Sequence, residues 1–400
     1  MTSDKDSIYT KKSQEIKIPL NSSLEKGEIK VALVHDFLVQ YGGAEKVLES
    51  LCEMFTEAPI YTLLYDKKKM SAQGGSALSG RNREIHTSFL QKFPGFLKNR
   101  WRYLLPFMPT APETFDLRDY DLVISSSGAW SKGIITKLNT IHIAYIHSPM
   151  RFVWDYNERY INEIGKKRIC FFARVILNYI RVWDRQAADR PDYLIANSEY
   201  TRDRIKKYYR RSSRVIYPSV KKSQIPNKFK IQNSKFFLIV SRLSAYKKVD
   251  LAVEAFNKLG FPLVVIGEGE QEKYLRKIAG KNIKILGWQS DKVLVEYYTN
   301  ARAFIFPSED DFGMTMVEAI NYGVPVIAYQ KGGAREIIQE GINGEFFNAQ
   351  TPEVLADGVR RFMENENKYN KEIIKKSAEK FSEERFKDSF MEIVKEVINN

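Results

Sequence analysis

What most constrains this chain is an alternation. Short aliphatic or β-branched runs end in polar or glycine-bearing loops and lead into helical spacing, over and over. Residues 29–35 (IKVALVH) run toward Gly42-Gly43 and a helical pattern over 44–54, and the runs 121–125 (DLVIS), 140–146 (TIHIAYI) and 193–196 (YLIA) repeat the theme. Such units build a parallel sheet flanked by helices. After 215–218 (VIYP), residues 221–234 lose all apolar periodicity, and the pattern restarts at 236–240, 262–266, 283–286, 303–306 and 324–328. The expectation is an α/β chain of two Rossmann-like, doubly wound domains facing a cleft. A polar tail covers 1–28, the first domain 29–220, a linker 221–234, the second domain 235–375, and a terminal helix within 376–400 packs back on the body. Sheets of this type bind ligands beyond the carboxyl ends of their strands.

Composition narrows the class. The 400 residues are 44% hydrophobic, enough for cores in both halves, and the 63 Lys+Arg against 49 Asp+Glu leave a net charge of +14. A surplus of that size faces nucleic acid, an anionic bilayer or phosphorylated substrates. Cys52 and Cys170 are the only cysteines, so no disulfide framework exists, and four histidines without cysteine pairs offer no zinc-ligand spacing. A reducing cytoplasm fits this usage. Residues 1–28 lack the apolar core of a signal peptide, and charged residues interrupt every hydrophobic run short of a membrane span.

The segment 306–329 (FPSEDDFGMTMVEAINYGVPVIAY) carries the most chemistry. A strand runs into a loop of acids, then Gly313, then a helix holding Glu318. Gly313 near a helix start frees backbone N–H groups for an anion, and Asp310 and Glu318 can accept hydrogen bonds from sugar hydroxyls. Taken alone, the same residues also read as a solvated loop and a surface helix. The segment resembles the signature of the GT-B retaining glycosyltransferases of family 4, a Glu-x-Phe-Gly element followed at fixed spacing by a second Glu. The resemblance implies that Asp310, standing where the family has Glu, contacts donor-sugar hydroxyls. It also implies that Phe312, Gly313 and Met314 offer loop amides to sugar and phosphate, and that Glu318 holds the ribose. Glu309 and Asp311 remain alternatives for the role of Asp310.

Three further segments resemble the same family. VSRLSAYKK places Arg242 and Lys247 like the family's Arg-Leu-x-x-x-Lys element, where cations stabilise the charge that grows on a departing diphosphate. The loop at Gly42-Gly43 is similar to the acceptor-domain loop whose amides approach the donor phosphate; glycine permits that approach and a helix start favours anions. IHIAYIHSPMRFVWD resembles a mannosyltransferase-like branch, placing His147 at a strand tip beside the donor sugar, with Arg151 able to reach a phosphate or the acceptor. A solvated turn for the first element and a structural histidine for the last are the competing readings. His142 and His86 are read as structural. Gly287 and Trp288 are placed near the nucleotide base. Gly267-x-Gly269 is read as a strand-to-helix turn, and Gly332-Gly333 before Glu336 either caps the cleft floor or makes a simple turn.

The resemblance implies a hexosyltransferase moving a hexose, mannose from GDP-mannose in the first instance, from a nucleoside diphosphate sugar to a saccharide or polyprenyl-linked acceptor with retention. No metal or other cofactor is expected, because Arg242, Lys247 and helix amides supply the positive charge. A phosphorylase or nucleotide-sugar epimerase of the same fold, and a non-catalytic basic protein, are the alternatives. Nucleic acid is not expected, since cleft acids repel phosphates. Two basic-aromatic segments, 93–109 and 166–185, pose a remaining choice between an anionic membrane surface and a core-facing helix. The expected location is cytoplasmic, peripheral on the inner face of the cell membrane.

Overall fold

The computed structural model describes residues 29–399 except 75–77, 79–82, 96–100, 159–160, 162–166 and 222–234. The expected tail over 1–28, the linker after Lys221 and part of the segment 93–109 lie outside the described residues. Seven strands, β1 (Val31–Leu38), β2 (Ile60–Tyr65), β3 (Ile85–Thr87), β4 (Leu122–Ser127), β5 (Ile141–Ile146), β6 (Tyr193–Ala196) and β7 (Arg214–Val215), form one sheet in the order β3-β2-β1-β4-β5-β6-β7. Six more, β8 (Phe236–Val240), β9 (Leu263–Ile266), β10 (Ile283–Ile285), β11 (Ala301–Phe306), β12 (Val326–Tyr329) and β13 (Gly344–Phe347), form a second in the order β10-β9-β8-β11-β12-β13. Every pairing in both sheets is parallel. Parallel strands are covered on both faces, which is why the central ones read as unbroken apolar runs.

Nine helices serve to locate the site: α1 (Gly43–Met54), α2 (Lys167–Ala187), α3 (Glu199–Tyr209), α4 (Val249–Leu259), α5 (Asp291–Asn300), α6 (Met314–Asn321), α7 (Ala334–Ile337), α8 (Pro352–Asn365) and α9 (Glu383–Asn399). In the second half α4 and α8 bury Val253, Phe256, Val359 and Phe362 against one face of the sheet, and α6 buries Met316, Val317 and Ile320 against the other. In the first half α1 and α2 cover opposite faces. None of the described helices is long and apolar enough to cross a membrane.

The last helix crosses back. Phe386, Phe390, Ile393, Val394, Val397 and Ile398 of α9 pack among Leu33, Val47, Leu51 and Ile60 in the first half, and Glu396 pairs with Arg214 at 2.6 Å. The two crossings between halves lie side by side, with the Val220 amide donating to the Phe381 carbonyl at 3.2 Å. His86 lies in β3, where its ring stacks on Tyr61 at 4.6 Å between centroids.

Candidate active site

Strand order reverses between β1 and β4 in the first sheet and between β8 and β11 in the second. The loops leaving these strands diverge at such a point and open a crevice at the sheet's carboxyl edge. Here the two crevices face each other and share a cavity of about 870 Å³. Helices α1 and α6 both aim their first turns into it. First-turn amides have no partner inside a helix and carry the positive end of its dipole. The two ends nearly touch, since a Cβ on Gly43 would sit 2.9 Å from Met314 Sδ. Gly313 precedes α6 with φ +99°, a left-handed conformation that glycine adopts without strain, and a Cβ there would lie 2.5 Å from Met316 Cε.

The two motif acids hold different partners. The Lys247 ammonium pairs with Asp310. Burial alone lowers a lysine pKa, but Asp310 outweighs it and leaves that of Lys247 raised. Glu318 accepts from Lys46 Nζ at 2.7 Å through one oxygen and from the Tyr298 hydroxyl at 2.8 Å through the other. The Lys46 pKa is likewise raised against its burial, chiefly by Glu318. Lys46 comes from α1 and Glu318 from α6, so this pair spans the cleft.

Asp311 and Glu309, the alternatives for Asp310, are committed elsewhere. Asp311 accepts from Arg151 Nε at 2.8 Å and Arg204 Nη1 at 2.5 Å, while its carbonyl accepts from Ser198 Oγ at 2.7 Å. Its carboxyl is held below the ordinary range; burial pushes upward and the two guanidiniums overcome it. Glu309 accepts from the Tyr200 hydroxyl at 2.8 Å. Arg151 lines the cavity, but Nε serves Asp311 and Nη1 the Glu309 carbonyl at 3.0 Å, so two of its three nitrogens tie the halves together. Glu336 does the same from α7, accepting the first-turn amides of Glu199 and Tyr200 in α3 at 2.8 and 2.9 Å.

Glycines set the backbone spacing around these side chains. Gly267, at φ +139°, lies so close to the loop bearing Arg242 that a Cβ would fall 1.9 Å from the Ser241 carbonyl oxygen, and Gly269 packs as tightly on Leu243. The turn after β9 therefore supports the loop after β8. Gly332 and Gly333 support the acidic loop in the same way, with the Gly333 amide donating to the Asp310 carbonyl at 3.0 Å. Arg242 itself is exposed on the cavity wall, and its side chain has no ion pair among the described residues. Trp288 lines the cavity, and the adjoining Gly287 turns the chain at φ +71° while its carbonyl accepts from the Gly267 amide at 2.9 Å.

His147 follows the tip of β5. Its Nε2 meets Ser126 Oγ at 2.8 Å, and the same oxygen meets His35 Nδ1 at 3.1 Å. Burial, with the neighbouring His35, brings the His147 pKa down to about 4, so the ring is neutral at pH 7. Its carbonyl accepts from Asn197 Nδ2 at 2.9 Å. Beneath it, the Asp36 carboxylate gathers the amides of Gly128, Ala129, Trp130 and Ser131 at 2.6–2.9 Å and shapes the loop after β4. Glu45 accepts the Gly42 amide at 2.8 Å and sets the start of α1.

Apart from Gly287, every site residue read from sequence lines this one cavity: Gly42, Gly43, His147, Arg151, Arg242, Lys247, Trp288, Asp310, Phe312, Gly313, Met314 and Glu318. Sequence reasoning missed Lys46, Tyr298, Arg204 and Asn197. Lys46 stands one residue beyond the GGAE loop, a signal that helical spacing places it on the cleft side; the others carry no local signal.

The family model "Glycosyltransferase Family 4" matches residues 41–224, and "Glycosyl transferases group 1" matches residues 220–380. An uncharacterized glycosyltransferase of Methanocaldococcus jannaschii is 24% identical over 84% of this chain and 89% of its own. The O-antigen chain mannosyltransferase C of Escherichia coli is 24% identical over 40% of this chain and 46% of its own. Among solved structures, that of Anabaena HepE in complex with UDP-glucose superposes with a TM-score of 0.64 at 17% identity, covering 92% of this chain and all of the other. The two models meet at the crossing between the halves, and the chain is a glycosyltransferase of the GT-B fold, with a family 4-type first domain and a group 1-type second.

Proposed function

We propose that the protein moves a hexose, mannose from GDP-mannose in the first instance, from a nucleoside diphosphate sugar to a saccharide or polyprenyl-linked acceptor, with retention at the anomeric carbon. The observation that carries this reading is the convergence of two helix starts, Arg242 and Lys247 on a cavity that also presents Asp310 and Glu318. Cations and amides suit a diphosphate; Asp310 and Glu318 suit hydroxyls.

In this reading the diphosphate lies in the cavity against the starts of α1 and α6. Glu318 exchanges Lys46 for a ribose hydroxyl, and Asp310 accepts from the sugar. The bond from the anomeric carbon to the phosphate oxygen breaks, and negative charge grows on the leaving diphosphate. Arg242, Lys247 and the amides line the cavity together, and positive groups held where charge develops lower the barrier. They supply the charge that a bound cation would otherwise bring. The acceptor oxygen bonds to the same face of the carbon, and its proton passes to the departing phosphate. Neutral His147 offers a hydrogen bond beside the reacting sugar and adds no positive charge near the acceptor. Support for mannose comes from the similarity to the Escherichia coli mannosyltransferase, and for a nucleotide donor from the UDP-glucose complex of HepE.

Thermal-shift titration with GDP, UDP, ADP and their sugar derivatives tests the reading, because a ligand that binds only the folded state raises its apparent stability. One nucleotide is expected to stand out, with its response lost in Glu318→Ala. Absence of a response to every nucleotide in the wild type would overturn the donor assignment.

A further inference from the structure

Helix α2 has two apolar faces, and the first domain uses one. Leu177, Ile180, Trp183 and Ala187 turn inward and join its core. On the opposite face Phe171, Phe172, Val175, Tyr179 and Val182 follow one another at helical spacing, and they are 67, 67, 55, 52 and 51% exposed. Single exposed apolar residues are ordinary; a stripe of five along one helix is not. Leu138, 90% exposed, and Ile135, 56% exposed, stand on the segment after Gly133, which packs on Trp183 of the same helix.

Charge says what covers the stripe. Residues 29–220 hold 30 Lys+Arg and 19 Asp+Glu, a surplus of 11, whereas residues 235–400 hold 24 and 25. The half that exposes the stripe is therefore also the half with the positive surplus. A second copy of the chain would bring two such surpluses together, while an anionic bilayer answers both features at once. An amphipathic helix with large apolar residues on one side and modest overall hydrophobicity lies in the interface plane rather than across it.

We propose that α2 seats the first domain on an anionic membrane surface, with Phe171, Phe172, Val175, Tyr179 and Val182 entering the headgroup–acyl boundary. The seat lies against the cleft wall. Arg181 Nε donates to the Val153 carbonyl at 2.6 Å, and Asp184 accepts from Trp154 Nε1 at 2.8 Å, so α2 is bonded to the segment that carries Met150 and Arg151 into the cavity. A bilayer-bound acceptor would then reach the cleft from the side of the first domain. That last step rests on the proposed transfer reaction; the membrane seat does not.

Flotation of the full-length protein with vesicles tests it. One set contains phosphatidylcholine alone, and the other contains roughly one-third phosphatidylglycerol. The wild type is expected to float with the anionic set only. Binding should weaken at about 0.5 M NaCl as the charge is screened. Val175→Asp combined with Val182→Asp should lower the bound fraction by about tenfold or more, since charge on the apolar face opposes insertion. Thermal unfolding of this variant should match the wild type, because both side chains are exposed. Equal flotation of variant and wild type, or no flotation of the wild type, overturns the proposal. So does light scattering that shows a wild-type dimer turned into a monomer by the variant, since the stripe would then be a self-interface. None of these readouts needs a nucleotide, so the seat fails separately from the transfer reaction.

Discussion

His147 shows how one buried side chain couples the cleft to solution pH. In the folded chain its pKa is lowered from 6.5 to about 4 by burial and by His35, and His142, buried within β5, is lowered to about 3 by burial. Between these values and 6.5 the unfolded chain holds more protons than the folded one. Stability is therefore full above about pH 6.5 and declines as pH falls toward 4, by about 1.4 kcal/mol for each pH unit that separates a histidine's folded and unfolded pKa. The buried Asp311, whose pKa is lowered, acts further down the scale, losing its contribution only as it takes a proton below the usual carboxylate range. The melting temperature should be level near pH 7–8 and drop in the histidine window, and His147→Asn should flatten part of that drop. A curve as steep in the variant as in the wild type would sink the assignment. At this scale the motif residues were legible because glycines, acids and cations stood at spacings that chemistry requires. Their partners were not. Lys46 and Glu318 are 272 positions apart, and no local pattern reports a pair that only the cleft brings together.

Elements were legible where they are central. The strands that flank each switch point, β1, β4, β8 and β11, read as apolar runs because both faces of a parallel sheet are covered. Of the edge strands, β3 and β13 did not, being three and four residues long with polar or glycine positions, whereas β10, also at an edge, shows as the run 283–286. Strand β2 follows α1 so closely that its apolar residues extend the helical run, and a short apolar stretch beside a helix is ambiguous by period alone. The loop after β11 is the element whose role changed most between sequence and structure. Asp310 faces the cleft cation Lys247, while its neighbour Asp311 clasps Arg151 and Arg204 of the other half. Removing one partner of a buried pair leaves the other charge uncompensated, at a cost of about 3–5 kcal/mol. Asp311→Asn should accordingly lower the urea midpoint by leaving Arg151 and Arg204 short of a partner, and Asp310→Asn should lower it too, by leaving the buried Lys247 unpaired, besides impairing turnover. Equal midpoints for Asp311→Asn and the wild type would remove the clasp from the account.

For the whole molecule, the governing fact is that the second half does not end the chain. Six apolar side chains of α9 fill the core of the first half, and Lys387 pairs with Glu53 at 2.9 Å beside them. Burying a large apolar side chain stabilises by about 1.5–3 kcal/mol, so together they rival the 5–15 kcal/mol that holds a typical domain folded. A chain truncated after Ser382 should be insoluble or melt far below the wild type, and a separate peptide spanning α9 should restore solubility when co-expressed. Normal melting of the truncated chain would show that α9 is dispensable. Sequence placed this helix at the end of the body but not on which half, because its apolar stripe fits either core.

That crossing also sets an order of assembly. Domains emerge from the ribosome in sequence and usually fold in that order. Here the half made first lacks part of its interior until α9 is free, whereas the half made second has its own core complete by Phe381. The domain translated later can thus finish earlier, and the cleft, which needs both, comes into being only once α9 has been made. A nascent chain stalled short of α9 would hold a finished second domain beside an unfinished first one, and so could not expose a working active site.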